Sequence, residues 1–375
     1  MTNKRSGKLR KITCGVVVGL LVICLVGAVI STLSNRSLPK RPEVLDRLDS
    51  LDKSRLEETL HLKRSLGEAV WPGLGQASLP VSLHNQTYSF LIGFPGRPPN
   101  DWEMVEGDDF EGQPYYRKAE EEAQNFAIQV GDTWVAGIGT KTEMDLFIVE
   151  LYQGFLPPVI EQIFPYRLLL QASEVQIGGV LHEGFHVFQA QKAPARLEAA
   201  EKAHRLGDQY WSGNADNLKL WKEEMNLLAK ALQSKTDTEA ADLARQFLDH
   251  RQKRRQQVGL AAEMIDYERQ LEWEEGLAKY VELEFLRQAF ISKDYQPLEA
   301  MQADPSFKGY RTFNQRWSQE ILQMKLEVNQ DGEVSFYMTG MAQAFLLDRL
   351  SPGWKAKVLE EGIFLEDLLK AAAAK

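Results

Sequence analysis

His182, Glu183 and His186 are the residues whose types and spacing could do chemistry. They form the pattern H-E-x-x-H within SEVQIGGVLHEGFHVFQAQKAP. Two histidines four positions apart on a helix are offset by about 40°, so both imidazoles face one point, as two ligands of a tetrahedral zinc must. Glu183 projects beside that point, where it can take and return a proton as a general base. The chemistry would be metal-assisted hydrolysis. The competing reading is a pair of histidines satisfied by ordinary hydrogen bonds on a partly buried helix, and a third ligand decides between the two. Candidates for it are His204, His250 and carboxylates downstream, above all those around LEWEEGLAKYVELEF (Leu271 to Phe285). Glu268, Glu272, Glu275 and Glu282 follow there at spacings of 4, 3 and 7, which places them along one helix face. Such a row repels itself when buried unless a cation lies against it.

These side chains need elements to position them. Ser173, with Gln176 three residues on, reads as a capping-box start for the histidine helix, and Pro194 as its stop. Gly276 would let the acidic helix lie close to the histidine helix. From Ala77 to about Gly139 the pattern is of short strand-like runs separated by Gly, Pro and Asn. The clearest is NFAIQV-GD-TWVAGIG, a tight hairpin closed by Gly131 and Asp132. A small antiparallel sheet is expected. Beyond Thr140 helical-period leucines and scarce Gly or Pro predict helices to the end. The expected fold is therefore α+β, a strand-rich lobe over 77–139 followed by a helical lobe over 140–375. The basic run HRQKRRQQ (His250 to Gln257) reads as a solvated helix face, and the acidic loop EGDDFEG as a solvated loop without a metal.

Three of these segments together resemble the gluzincin zinc metallopeptidases, and within them the aminopeptidase-N-like branch. They are the H-E-x-x-H of His182 to His186, W-x-E-G-L-A-K-Y-V-E at Trp273 to Glu282, and F-Y-M-T-G-M-A-Q-A-F-L-L-D-R-L at Phe336 to Leu350. The resemblance implies Zn²⁺ held by His182, His186 and Glu275, with Glu183 as general base and Tyr337 donating to the oxyanion. Tyr267, Tyr280 and Tyr310 are rival tyrosines, and Glu272 and Glu282 are candidates to hold a ligand imidazole from behind. The chain departs from the family in two respects. His186 and Glu275 are 89 residues apart, so an extra helical insert must loop out between them. The motif that holds a substrate amine is absent; Trp134 to Thr140 would supply an edge strand without that specificity.

The chain has 375 residues, 44% hydrophobic, which is enough for a sizeable core and excludes a disordered protein. Residues 1–41 hold eight Lys or Arg and no acid, leaving 36 basic against 53 acidic residues in the body. That field repels polyanions, so nucleic acid is not expected as a partner. Ile12 to Leu33 is a 22-residue run without a charge, read as a transmembrane helix that follows a basic tail over 1–11 and precedes a tether and amphipathic helices over 34–76. The positive flank sets an expectation of a cytoplasmic N-terminus, a bilayer as partner through that one helix, and an extracytoplasmic body. Both cysteines, Cys14 and Cys24, fall in this run, so no disulfide staples the body. The reading as a whole is a membrane-anchored zinc metallopeptidase acting on a peptide or protein; the alternative is an inactive protein of the same form that serves interaction or structure.

Overall fold

The computed structural model describes residues 25–119, 125–211, 215–326 and 332–374. The fold is mainly helical, with one small mixed sheet laid against it, which corrects the expected α+β pairing of an antiparallel lobe with a helical lobe. The strands are β1 (Val81–His84), β2 (Tyr88–Ile92), β3 (Glu103–Met104), β4 (Tyr116–Ala119), β5 (Ala127–Val130) and β6 (Thr133–Gly139), in the order β3-β4-β2-β1-β6-β5. Each hairpin is antiparallel, and Val130 pairs with Thr133 across Gly131 and Asp132. β6, however, joins β1 in parallel, Val81 opposite Ala136 and Leu83 opposite Ile138. Alternation along a strand reports which face is buried, and turn residues report hairpins. Neither says which free edge a returning strand will take.

The principal helices are α1 (Ser50–Val70), α2 (Lys141–Phe155), α3 (Ser173–Lys192), α4 (Pro194–Ala203), α5 (Ala215–Gln233), α6 (Asp237–Gln257), α7 (Ala262–Leu271), α8 (Leu277–Ile291), α9 (Phe313–Leu326), α10 (Val334–Leu350) and α11 (Leu365–Ala373). α3 is central. Val180 and Val187 pack into the sheet with Val81, Leu83, Phe90 and Ile138, while Ile177, Leu181, Phe185 and Phe188 enter the larger helical core. A helix buried on opposite faces is apolar nearly all round, and SEVQIGGVLHEGFHVF has that character. It begins without the expected box: Ser173 Oγ instead donates to Asp304, 2.6 Å away. Pro194 does mark the break, as the first residue of α4.

α1 is a buried strut. Glu58 is fully buried and accepts from Tyr295 Oη at 2.7 Å, Tyr310 Oη at 2.8 Å and the Leu298 amide at 2.8 Å. The basic run of α6 is a solvated face only in part, exposed at Gln252, Lys253, Gln256 and Gln257 but not at two of its arginines. Arg251 and Arg254 are each 1% exposed, and Arg251 grips Glu272 through two nitrogens at 2.6 and 2.8 Å.

The membrane expectation is corrected as well. Of the run 12–33, residues 12–24 lie outside the described residues. Of the remainder, 25–35 is helical. Among the described residues no helix is long and apolar enough to cross a membrane, so a single-pass topology with an extracytoplasmic body is not carried further. The end of that helix is tied to the body, Asn35 Nδ2 donating to the Phe164 carbonyl and Arg167 to Ser37 Oγ.

Candidate metal centre

α7 does not run straight into α8. Between them the backbone widens into one π turn, Glu272–Gly276. The extra residue in that turn breaks the single acidic face expected from helical spacing and sends its glutamates in different directions. Glu272 turns to Arg251, Thr339 and Gln343, and Glu268, one turn earlier, to Arg254 and Arg255. Glu275 turns to the histidines of α3. Guanidinium groups, not a metal, therefore balance the first half of the row.

A close crossing holds the π turn in place. A Cβ on Gly276 would lie 2.4 Å from the Gly340 Cα, and one on Gly340 would lie 2.4 Å from the Glu272 carbonyl oxygen. Gly276 thus lets the turn lie against α10, where the sequence reading had it meeting the histidine helix. The same crossing fixes Tyr337, one turn before Gly340, over the histidines.

Three of the expected ligands converge. His182 Nε2 is 3.2 Å and His186 Nε2 3.4 Å from Glu275 Oε2. The three side chains offer ligand atoms that all lie within 4.8 Å of one another. The outer nitrogens are anchored too: His186 Nδ1 to Gln189 Oε1 at 2.8 Å, and His182 Nδ1 facing Glu282 Oε2 at 3.7 Å. Glu282 is itself held by Lys279 at 2.9 Å and Arg316 at 3.3 Å. Of the two carboxylates expected behind the imidazoles, Glu282 is there and Glu272 is not.

Glu183 is half-buried beside the pair, and its Oε2 is buried without a hydrogen-bond partner. Burial raises its pKa above the usual carboxyl range, against the pull of His182 and His186, while the amide of Ala127 on β5 bears on it. β5 is one of the two outer strands of the sheet and β6 an inner one, so Trp134 to Thr140 does not form the edge expected of it. Tyr337 stacks on His182, ring centres 5.6 Å apart and 9° from parallel, and hydrogen-bonds Glu275. Burial, then the Glu275 charge, raises its hydroxyl pKa, which keeps it a proton donor. The rival tyrosines are engaged elsewhere, Tyr267 with Glu333, Tyr280 with Asp348 and Tyr310 with Glu58.

Electrostatics bind the group tightly. Burial favours neutral rings, yet Glu275 overrides it and pushes His186 up to about 10, and His182 is raised as well. Glu275 itself, against the same burial, is held well below its usual range by His186 and His182. His250, a sequence-level ligand candidate, lies apart, paired with Glu223 at 2.7 Å. His204 is close: its Nε2 lies 3.1 Å from Glu274 Oε2. Gln189 and Glu274 were missed by sequence reasoning. Gln189 had a signal, since three residues after His186 it shares that histidine's face, whereas the inward aim of Glu274 depends on the π turn, for which periodicity gives no sign.

No protein-family model, no curated protein and no solved structure matches the chain. Fold and site define a class by geometry alone: a helical protein in which an imidazole pair and a glutamate from a π turn close on one point beside the end of a sheet.

Proposed function

We propose that the protein is a zinc-dependent hydrolase of peptide bonds, with His182, His186 and Glu275 as ligands and Glu183 as general base. One observation carries the reading. Bonds of about 2.0–2.1 Å in a tetrahedron set neighbouring ligand atoms roughly 3.3–3.4 Å apart. Nε2 of His182 and of His186 stand 3.2 and 3.4 Å from Glu275 Oε2. The outward Nδ1 of His186 bonds Gln189, the arrangement that fixes the tautomer of a ligating imidazole, and that of His182 faces the Glu282 carboxylate at 3.7 Å.

Zinc held there would supply a Lewis acid that acidifies water and polarises a carbonyl. The chain's own groups do the rest. Glu183 has a free, buried oxygen and a raised pKa, so it can take a proton from water and pass it to the leaving amine nitrogen. Tyr337 offers its hydroxyl proton to the oxygen on which charge develops. The outer edge of β5, whose Ala127 amide already bears on Glu183, can pair with an extended peptide and so bring its backbone to the site.

The test is Glu183→Gln on the full chain, with zinc measured by elemental analysis and turnover on a fluorogenic peptide mixture. Zinc should stay while turnover falls by at least ~10²–10⁴-fold. A variant as fast as the parent would remove Glu183 from the mechanism, and a parent that binds no zinc would remove the hydrolase.

A further inference from the structure

Glu275 belongs to a second group of ligand atoms. His204, Glu274 and Glu275 offer one atom each, all within 4.8 Å of one another. His204 Nε2 faces Glu274 Oε2 at 3.1 Å, and its Nδ1 faces Glu333 Oε1 at 3.1 Å. Glu333 is held in turn by the Tyr267 hydroxyl at 3.1 Å. Each imidazole around Glu275 is thus arranged alike, with Nε2 turned to a π-turn carboxylate and Nδ1 facing a side-chain acceptor: Glu282 for His182, Gln189 of the same helix for His186, and Glu333 for His204. That is the outfit of a ligating histidine, and here it occurs three times.

Charge points the same way. Two carboxylates, Glu274 and Glu333, flank the His204 ring, and Glu274 is only 2% exposed. A neutral ring donates to one carboxylate at most, and a protonated ring still leaves one of the two charges unbalanced. Gln189 adds rigidity, since its Nε2 donates to the carbonyls of Trp273 and Glu274 at 3.0 and 3.3 Å. One glutamine therefore anchors His186 and steadies the backbone that presents both glutamates.

We propose that a second divalent cation binds His204, Glu274 and Glu275, with the Glu275 carboxylate shared between the two ions. The proposal rests on the reading of Glu275 as a zinc ligand. Imidazole and carboxylate donors suit Zn²⁺, Co²⁺ or Mn²⁺. Paired ions about 3.5–4 Å apart clamp both ends of a displacement in other hydrolases, so this site would change the class of the centre from mononuclear to dinuclear.

The full chain is stripped with a chelator and reloaded with excess Zn²⁺, desalted, and its zinc per chain measured; Co²⁺ titration followed by visible absorbance gives a second count. The parent should hold two ions, and His204→Ala and His182→Ala one each. Glu274→Gln, which keeps volume and a hydrogen bond to His204, should also hold one and serves if His204→Ala does not fold. Two ions in both His204→Ala and Glu274→Gln overturn the proposal. One ion in the parent, lost in His182→Ala and kept in His204→Ala, overturns it and leaves the hydrolase standing. One ion kept in His182→Ala and lost in His204→Ala supports this site and sinks the hydrolase. A parent with none refutes both.

Discussion

The crossing of Gly276 and Gly340 sets the π turn, so Gly276→Ala should damage both the fold and the site. The added Cβ would stand 2.4 Å from the Gly340 Cα, 2.9 Å from its carbonyl carbon and 3.1 Å from the Met341 nitrogen. Carbon atoms rest about 3.5–4.0 Å apart, so the turn and α10 must separate by roughly 1 Å. All three obstacles are backbone and none can rotate aside. Overpacking of this kind costs about 3 kcal/mol, and the gain in helix propensity from Gly to Ala returns up to ~1 kcal/mol, for a net loss of about 2 kcal/mol. The melting temperature should fall by about 2–3 °C. Glu275 is the adjacent residue, so the same movement disturbs its 3.2 and 3.4 Å spacings to the histidines. Displacement by about 1 Å lowers turnover by roughly 10²-fold where geometry governs catalysis. The assays are thermal unfolding by circular dichroism and zinc competition against a chromophoric chelator. Gly184→Ala is the control, since its Cβ would meet only the tip of the Leu79 side chain, at 2.8 Å, which can turn away. If Gly276→Ala melts and binds zinc like the parent, or no worse than Gly184→Ala, the crossing does not position Glu275.

Gln189→Leu removes the acceptor behind His186 and both donations to the π-turn carbonyls. Zinc affinity should drop about 10–100-fold, and an unchanged affinity would deny Gln189 that role. Arg251→Met strips Glu272 of its guanidinium partner in the core and leaves Glu224 to Arg254 alone, so urea unfolding should show a loss of about 3–5 kcal/mol; a loss under ~1 kcal/mol would refute the pairing as a strut. Asp52 is buried, and burial first, then Asp49, raises its pKa to about 7 in spite of Arg55. An acid raised in the folded state favours folding below its unfolded pKa of about 3.9 and ceases to do so as pH rises through 7. The parent should therefore lose up to about 4 kcal/mol between pH 4 and 8 on this account, and Asp52→Asn should remove that slope in urea titrations at the two pH values. An equal slope in the variant would place the titration elsewhere.

How much of this was legible in the sequence follows from what kind of signal each feature leaves. H-E-x-x-H is local, and helical periodicity alone brings His182 and His186 to one side with Glu183 next to them. Glu275 was reached by resemblance, because its meeting with the histidines spans 89 residues and depends on a turn that is neither α nor random. The hairpin of β5 and β6 was legible in Gly131 and Asp132, but the parallel seating of β6 on β1 was not, since pairing between distant strands is decided by tertiary packing. Arg251 and Arg254 misled for the same reason. A basic run reads as solvated until its acidic counterparts, Glu224, Glu268 and Glu272, are placed by the fold.

That last pairing gives the long insert a physical role. α6 brings the arginines that take up Glu268 and Glu272, while Lys279 and Arg316 take up Glu282, so the carboxylates on either side of Glu275 are saturated by permanent cations. Guanidinium groups keep their protons at any working pH and cannot give way to a metal. Glu275 is the member of the row whose partners are imidazoles without a guanidinium or ammonium beside them, His182 and His186, whose nitrogens carry lone pairs once a proton leaves. Within the row, a divalent ion therefore exchanges with protons instead of expelling an arginine only at Glu275, next to Glu183. Besides carrying His204 and Glu274, the insert decides which glutamate of the row remains available as a ligand of the histidine pair.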